Sequence, residues 1–574
     1  MVGRRPARPA GGATARAEPS VATVDAVVVG SGFGGSVAAL RLAEAGSQVV
    51  LLERGKPYPA GSFPRRPNEM ATNLWQPRAG LHGLFDIWSF RHLEAVVASG
   101  LGGGSLIYAS VLLRKDERWF VQDQGPGGGY ESWPVTRAQL DPYYDRVEEM
   151  LGAADNPYPY VESTPKSAAL RDAAVALGLD WRPVPLAVTF AAPGRRPGDP
   201  IPGAADNLHG VNRLSCRLCG ECDLGCNDGA KNTLDYTYLS RAARHQADLR
   251  TRCEVREIRL LDGGFEVAYV NYGEEHDGEP TDPGTLPRRR IRCRVLVLAA
   301  GALGTSSLLL RNQAEFPALG TLLGTRFCGN GDLLGFVRGS RRQLQPSRGP
   351  VITGAIRVPD AVDGGVGRGF YLQDGGYPGF VDWLVENGMV LGPARRLARF
   401  AVARLGQRLT RSERTQISTE VAALLGPGTA SGNTMPLLGM GRDVPDGRLR
   451  LAGDNLDVDW CDTTSVPYFS RLQATMAMVA GTVGGRFEIN PSRYLGRVIT
   501  AHPLGGVPMG ADPRRGVVDD HGEAFGHPGL FVVDGSVLPG PVGPNPALTI
   551  AALAERSTER ILDRLATANV GVNA

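Results

Sequence analysis

Two groups of residues in this 574-residue chain have the types and spacing to handle a ligand. The first is Gly30-Ser31-Gly32-Phe33-Gly34-Gly35, a G-x-G-x-x-G, with Glu53 standing 23 residues after Gly30. Glycines at these positions permit a tight turn, backbone approach to a pyrophosphate, and close contact between a helix and a strand. The pyrophosphate would rest on the helix N-terminus, where unpaired N–H groups and the dipole favour negative charge. Glu53 would accept from a ribose hydroxyl, which fits FAD or NAD better than NADP. The second group is Cys216, Cys219, Cys222 and Cys226, four thiols within eleven residues. C-x2-C-x2-C-x3-C is the spacing of a bacterial ferredoxin loop, although Asn227 stands where those loops carry Pro. An iron–sulfur cluster, disulfides or free thiols, and a zinc ion are all compatible with it. There is one such run, so the second cluster of a ferredoxin is not expected. Cys253, Cys293, Cys328 and Cys461 are solitary and read as buried thiols.

The elements around the glycines agree with the motif. Val24 to Val29 is a short apolar, β-branched run, as in a strand buried on both faces. Val37, Leu40 and Leu42 follow at helical spacing, Gly46 stops the helix, and Val49 to Leu52 reads as a second strand. A second glycine-rich stretch, Gly100 to Ser105, precedes an apolar run and would let backbone pass against a flat ligand. Val295 to Ala299 reads as a buried strand ending at Gly301, with a helix over Thr305 to Leu310, and is expected to return to the first sheet. Phe531 to Val533 reads as another buried strand, and Asn545-Pro546 precedes a helix over Ala547 to Leu562. Residues 131–152 read as a turn and an amphipathic helix, 60–99 as loop, and 190–212 as an exposed Pro/Gly-rich stretch. Pro393 to Arg414 reads as a basic amphipathic helix. A lid or packing helix fits it better than membrane-surface contact.

Composition sets broad bounds. The length suggests roughly two to four domains. Glycine supplies 76 residues, roughly twice the ordinary share, as many close backbone approaches would require. A net charge of +3 gives no bulk electrostatic case for nucleic acid. There is no 18-residue apolar run, so no membrane span is expected. Residues 1–20 are rich in Arg, Pro, Ala and Gly and read as a disordered tail. Arg4-Arg5 is not followed by the apolar stretch that a secretion signal needs. The cytoplasm is the default location.

With these marks in hand, the chain resembles a glucose–methanol–choline (GMC) flavin oxidoreductase. The resemblance rests on Gly30–Gly35 with Glu53, the Gly100–Ser105 loop, VLVLAAGALGTSSLLLRN (295–312), His502-Pro503, Asp534-Gly535 and Asn545-Pro546, in the family's order. It is most similar to the bacterial cholesterol oxidase branch, which pairs a His in HPLGG with an Asn in an NP motif. Many other members have a second His where Asn545 stands. The resemblance implies an α/β architecture with a Rossmann-like FAD-binding domain built from 21–118, 213–311 and 499–574. An α+β substrate domain on an antiparallel sheet, 119–212 and 312–498, would be interleaved with it. It also implies FAD contacts at Gly30, Ser31, Gly32, Phe33, Gly34, Gly35, Glu53, Arg54, Gly102, Gly103, Gly104 and Ser105. Further contacts are implied at Glu254, Ala300, Gly301, Asp534, Gly535, Asn545 and Pro546.

The implied chemistry is oxidation of a hydrophobic alcohol, sterol-like or long-chain, to a carbonyl. A hydride goes to flavin N5 and His502 handles the hydroxyl proton, a task its pKa of about 6.5 suits. Asn545 could donate to the substrate oxygen, or could be only a helix N-cap. Some cholesterol oxidases also isomerise the steroid double bond through a Glu, and that position aligns with Gln373. An amide cannot shuttle a proton, so isomerase activity is not expected unless Asp374 substitutes. Some GMC glucose dehydrogenases hold an iron–sulfur cluster in the region of Cys216–Cys226, which would relay electrons to an acceptor protein. The alternatives are a peroxide-producing oxidase without a cluster, and a flavin-retaining lyase or other non-redox member. A non-catalytic binding protein is disfavoured by the presence of both His502 and Asn545.

Overall fold

A computed structural model of the chain describes residues 21–123, 130–377, 432–490, 493–494 and 496–572. The tail at 1–20 and the helix expected over Pro393 to Arg414 lie outside the described residues. The first apolar run forms the strand Ala22–Val29, with Ala26 to Val29 buried. Val49–Leu52 pairs with it in parallel on one side and Arg289–Leu298 on the other. Asp248–Arg250 extends the sheet beyond Val49–Leu52, and Leu530–Val532 adds in parallel beside Leu296 to Leu298. Burial on both faces is why these strands read as continuous rather than alternating apolar runs. The first half of Arg289–Leu298 pairs instead with Gly264–Asn271, which turns back onto Cys253–Leu261.

Helix Phe33–Glu44 leaves the first strand through the glycine loop and is buried on nearly all sides. Its one charged residue within the buried stretch, Arg41, forks onto both oxygens of Glu555 at 2.8 Å. Tyr238 Oη donates to the same carboxylate at 2.8 Å, so Glu555, 1% exposed, fixes three helices to one another. Such a buried, fully bonded pair gives register more than net stability.

A second sheet has the order Arg486–Ile489, Leu333–Arg338, Met435–Gly441, Phe370–Asp374, Gly354–Val358, Asp180–Pro183, and is antiparallel throughout. Helices Pro165–Leu177 and Val466–Thr482 cover one face through Leu170, Leu472 and Met476, packed on Phe370 and Leu372. Alternation along the strand turns Tyr371 and Gln373 to the other face. The chain is therefore a mixed α/β molecule in which a Rossmann-like sheet and an antiparallel sheet are drawn from interleaved segments.

The stretch expected to be loop, 60–99, contains an antiparallel pair, Phe85–Ser89 and Leu93–Ala98. Val498–Thr500, the strand leading to His502, joins it in parallel. This pairing is long-range, so no local pattern announced it. The helix expected over Thr305 to Leu310 forms as Gly301–Arg311, and that within 131–152 as Arg137–Leu151, opened by a Thr136/Gln139 capping box.

Helix Phe33–Glu44 sits so close to the sheet that a Cβ at Gly34 would lie 1.8 Å from the Val533 carbonyl oxygen. Gly34→Ala is expected to destabilise the fold by at least the ~1–3 kcal/mol of an overpacked core, read as a lowered midpoint in chemical unfolding of the cofactor-free protein.

Candidate active site

Three segments singled out in the sequence converge on Ser31. Its Oγ donates to Glu53 Oε2 at 2.6 Å and accepts from Gly102 N–H at 3.0 Å. Ser31 N–H donates to the same Glu53 oxygen at 3.1 Å, and Gly55 N–H holds Oε1 at 2.8 Å. The first glycine loop, the acid after the second strand and the second glycine loop are thus one cradle. The glycines divide the work. Gly30, at φ +98°, lies against Ala299, Gly35 closes on Gly30, and a Cβ at Gly103 would sit 2.7 Å from Gly32 Cα. A Cβ at Gly32, Gly104 or Gly301 would meet nothing within 4 Å. Open space at Gly32, beside the first N–H groups of helix Phe33–Glu44, is what a pyrophosphate needs, and these residues fit an FAD.

Other residues expected to touch the cofactor have clear protein partners. Arg54 pairs with Asp86 at 2.6 Å and stacks on Trp75. Glu254 follows the Cys253 N–H to Glu53 C=O bond, and its carboxylate takes Tyr272 Oη and Arg256. Ser105 Oγ bonds Gly102 C=O and receives Leu234 N–H. Ala300 N–H donates to Thr305 Oγ1. Asp534 accepts from Gly301 N–H at 2.9 Å and Ser536 N–H at 2.8 Å, and from both of the Thr305 and Ser536 hydroxyls. Its carboxylate, pushed up by burial, is therefore a joint between helix Gly301–Arg311 and the loop at Gly535.

His502 and Asn545 are positioned by a segment that the sequence reading missed, Cys328-Gly329-Asn330-Gly331-Asp332. Cys328 exchanges backbone bonds with Leu504, two residues past His502. Asp332, 2% exposed, lies 2.9 and 3.0 Å from His502 Nδ1 through its two oxygens. Asn330 accepts from Gly543 N–H at 3.0 Å and donates to Pro544 C=O at 3.1 Å, pinning the loop that ends at Asn545. Buried Lys115 holds the same loop through the Pro541 and Val542 carbonyls at 2.8 and 3.0 Å, over the Trp133 ring. Burial drives its pKa well down. The glycines of HPLGG are needed here, because Cβ atoms at Gly505 and Gly506 would lie 2.0 Å from Arg326 C=O and 2.2 Å from Ser306 Oγ. The missed signal was an Asn and an Asp two apart in a glycine-flanked turn, which resembles any polar turn.

Asn545 stands two residues before the helix Ala547–Val572, and its side-chain oxygen is committed to Gln373 rather than to a helix cap. Its Oδ1 accepts from Gln373 Nε2 at 2.8 Å, leaving its amide N–H groups as donors. Asp374 is corrected as a stand-in for the isomerising acid. It lies on the opposite face of its strand from Gln373, fully buried and bonded to Lys166 and to Gly354 N–H.

Cys216, Cys219, Cys222 and Cys226 all line one cleft with Lys231 and Gly349. Lys231, buried, spans from Cys222 C=O at 2.8 Å to the Leu106 and Tyr108 carbonyls at 3.0 and 2.9 Å, next to the second glycine loop. Among the described residues, no three of these sulfurs lie within 4.8 Å of one another. The Asp519, Asp520 and His521 group does meet that spacing. Because Gly32 faces open space, Gly32→Ala is expected to leave the unfolding midpoint of the cofactor-free protein unchanged. It should weaken FAD binding roughly tenfold or more, measured by titrating flavin into the apoprotein.

Family models give an independent reading. Those described as GMC oxidoreductase match residues 205–321 and 472–554, and one described as FAD binding domain matches residues 25–62. A cholesterol oxidase of Mycobacterium tuberculosis is 31% identical over 93% of this chain and 90% of its own length. One of Acinetobacter baumannii is 29% identical over 94% of each chain. The crystal structure of pyridoxine 4-oxidase from Mesorbium loti superposes with a TM-score of 0.57 at 18% identity, over 94% of this chain and 99% of the other, which supports the fold. No helix among the described residues is long and apolar enough to cross a membrane. The chain belongs to the GMC oxidoreductase family, in its cholesterol oxidase-like branch, and is an FAD-dependent alcohol oxidoreductase.

Proposed function

We propose that this enzyme oxidises a hydrophobic, sterol-like or long-chain alcohol to its carbonyl, with His502 accepting the hydroxyl proton. The observation that carries the reading is the turn at Cys328–Asp332, which fixes the His502 ring with Asp332 and the Asn545 loop with Asn330. When bound, FAD supplies the hydride acceptor. In this reading His502 takes the proton from the substrate oxygen at Nε2, and the Asn545 amide donates to that oxygen as charge develops on it. The carbonyl forms as the carbon gives up its hydride, so one proton and one hydride leave together. The similarity to cholesterol oxidases supports a sterol-like substrate. With Gln373 an amide and Asp374 turned away, the reading excludes double-bond isomerisation at this position. His502→Ala is expected to slow single-turnover flavin reduction by roughly 10²–10⁴-fold with FAD retained, and a rate near that of the unaltered enzyme would sink the role.

A second part of the reading concerns the electron acceptor. The four cysteines share one cleft, and Lys231 ties their loop to the backbone beside the second glycine loop. In this reading they ligate an iron–sulfur cluster that passes electrons to an acceptor protein in a reducing, cytoplasmic setting. Protein prepared without air is expected to contain iron and acid-labile sulfide, both lost when Cys219→Ser and Cys222→Ser are combined. That double variant should still bleach its flavin with substrate yet reduce a one-electron acceptor slowly. Absence of iron after anaerobic reconstitution would leave a peroxide-producing oxidase as the better description.

A further inference from the structure

We propose that Asp332 is the positioning residue of this site, holding Nδ1–H of His502 so that Nε2 faces the substrate with its lone pair. The inference rests on the reading of His502 given above and adds what makes that imidazole competent. A carboxylate only accepts, so its approach to Nδ1 from both oxygens at 2.9 and 3.0 Å puts the proton on that nitrogen and leaves Nε2 as the base. Asp332 is itself held. Its Oδ2 accepts from Thr500 Oγ1 at 2.8 Å and from Ala501 N–H at 2.9 Å, and the His502 N–H donates to the same Thr500 hydroxyl at 2.8 Å. Neither the carboxylate nor the base of the imidazole has freedom to turn.

The backbone that carries Asp332 is fixed with equal care. Asn330 and Gly331 are left-handed at φ +54° and +67°, a conformation that Gly and Asn adopt more readily than other residues and that the surroundings hold here. Those surroundings are the Asn330 bonds to Gly543 and Pro544, the Gly441 N–H to Asn330 C=O bond, and Tyr468 Oη on Gly331 C=O at 2.8 Å. Electrostatics point the same way. When His502 takes a proton it becomes a cation, and a buried carboxylate at hydrogen-bond distance stabilises that cation without solvent rearrangement. The charged and titratable groups that act on Asp332 or share its surroundings include Asp443 and Tyr468, with Arg493 and Arg497 lining one small cavity with it, while Arg368 and Cys328 interact with Asp443. Burial pushes the neighbouring Asp443 carboxyl up to about 7.

Three variants and one spectrum test this. Asp332→Asn keeps an acceptor of the same shape and removes the charge, Asp332→Ala removes both, and His502→Ala is the reference. Asp332→Asn is expected to retain FAD and substrate affinity while single-turnover flavin reduction falls roughly 10²–10⁴-fold. The acid limb of its pH profile should move to lower pH, because an imidazolium without its carboxylate loses its proton more readily. Nitrogen-15 NMR of the unaltered protein is expected to show His502 protonated at Nδ1 when neutral, a readout that needs no variant to fold. A neutral tautomer protonated at Nε2, or Asp332→Asn reducing flavin at the unaltered rate while His502→Ala does not, would overturn the positioning role. If His502→Ala itself keeps the unaltered rate, the reading of the site fails first and the inference with it.

Discussion

The site depends on one steric constraint: backbone must approach backbone more closely than a Cβ allows. Gly30 lies against Ala299, Gly34 against Val533, Gly103 against Gly32, and Gly505 against Arg326, all at separations where a methyl group would overlap. Each of these contacts joins segments distant in sequence, so together they draw the two glycine loops, the His502 segment and the last parallel strand into one place. Where approach is not needed, at Gly32 and Gly104, the missing side chain leaves room instead. At these positions the missing side chains serve close packing of the loops or leave room for a flat, charged dinucleotide against backbone.

Close packing then obliges the buried polar groups to find partners inside the protein, and the loops are held by those partners. Glu53, Asp534, Asp332, Asn330 and Lys115 are all buried, and each spends its bonding capacity on the backbone or side chain of another loop. Leaving such a group unpaired costs about 1–3 kcal/mol, more for a charge, so a slip of any one loop would strand a buried group. This linkage is a physical reason for the loops to keep their geometry although they have little regular secondary structure.

Legibility followed from how local each signal was. The strand–glycine–helix unit at Val24 to Gly55 was readable because strand, turn, helix and acid are contiguous, and the same holds for the later strand ending at Gly301. The antiparallel sheet was not, since its strands come from residues as far apart as Asp180 and Ile489 and pair only through the fold. Asp332 carries no motif: its importance comes from a contact across 170 residues. The Asp374 substitution could have been refused from the sequence alone. It neighbours Gln373 on a strand, and strand neighbours face opposite ways.

Gln373, on the antiparallel sheet, and Asn545, in the loop before the last helix, meet side chain to side chain, and their chemistry limits what that contact can do. The Gln373 amide donates to Asn545 Oδ1, which fixes the Asn545 amide as a donor, and its own Oε1 is buried without a protein partner. A carboxylic acid in that position could lend and recover a proton; an amide can only present a donor and an acceptor. In the proposed reading, proton transfer rests with His502 and its Asp332 partner, and the Gln373–Asn545 pair contributes fixed dipoles. Under that reading the pair suits removal of one proton from a hydroxyl, because neither amide can act as the second proton carrier that moving a double bond would require.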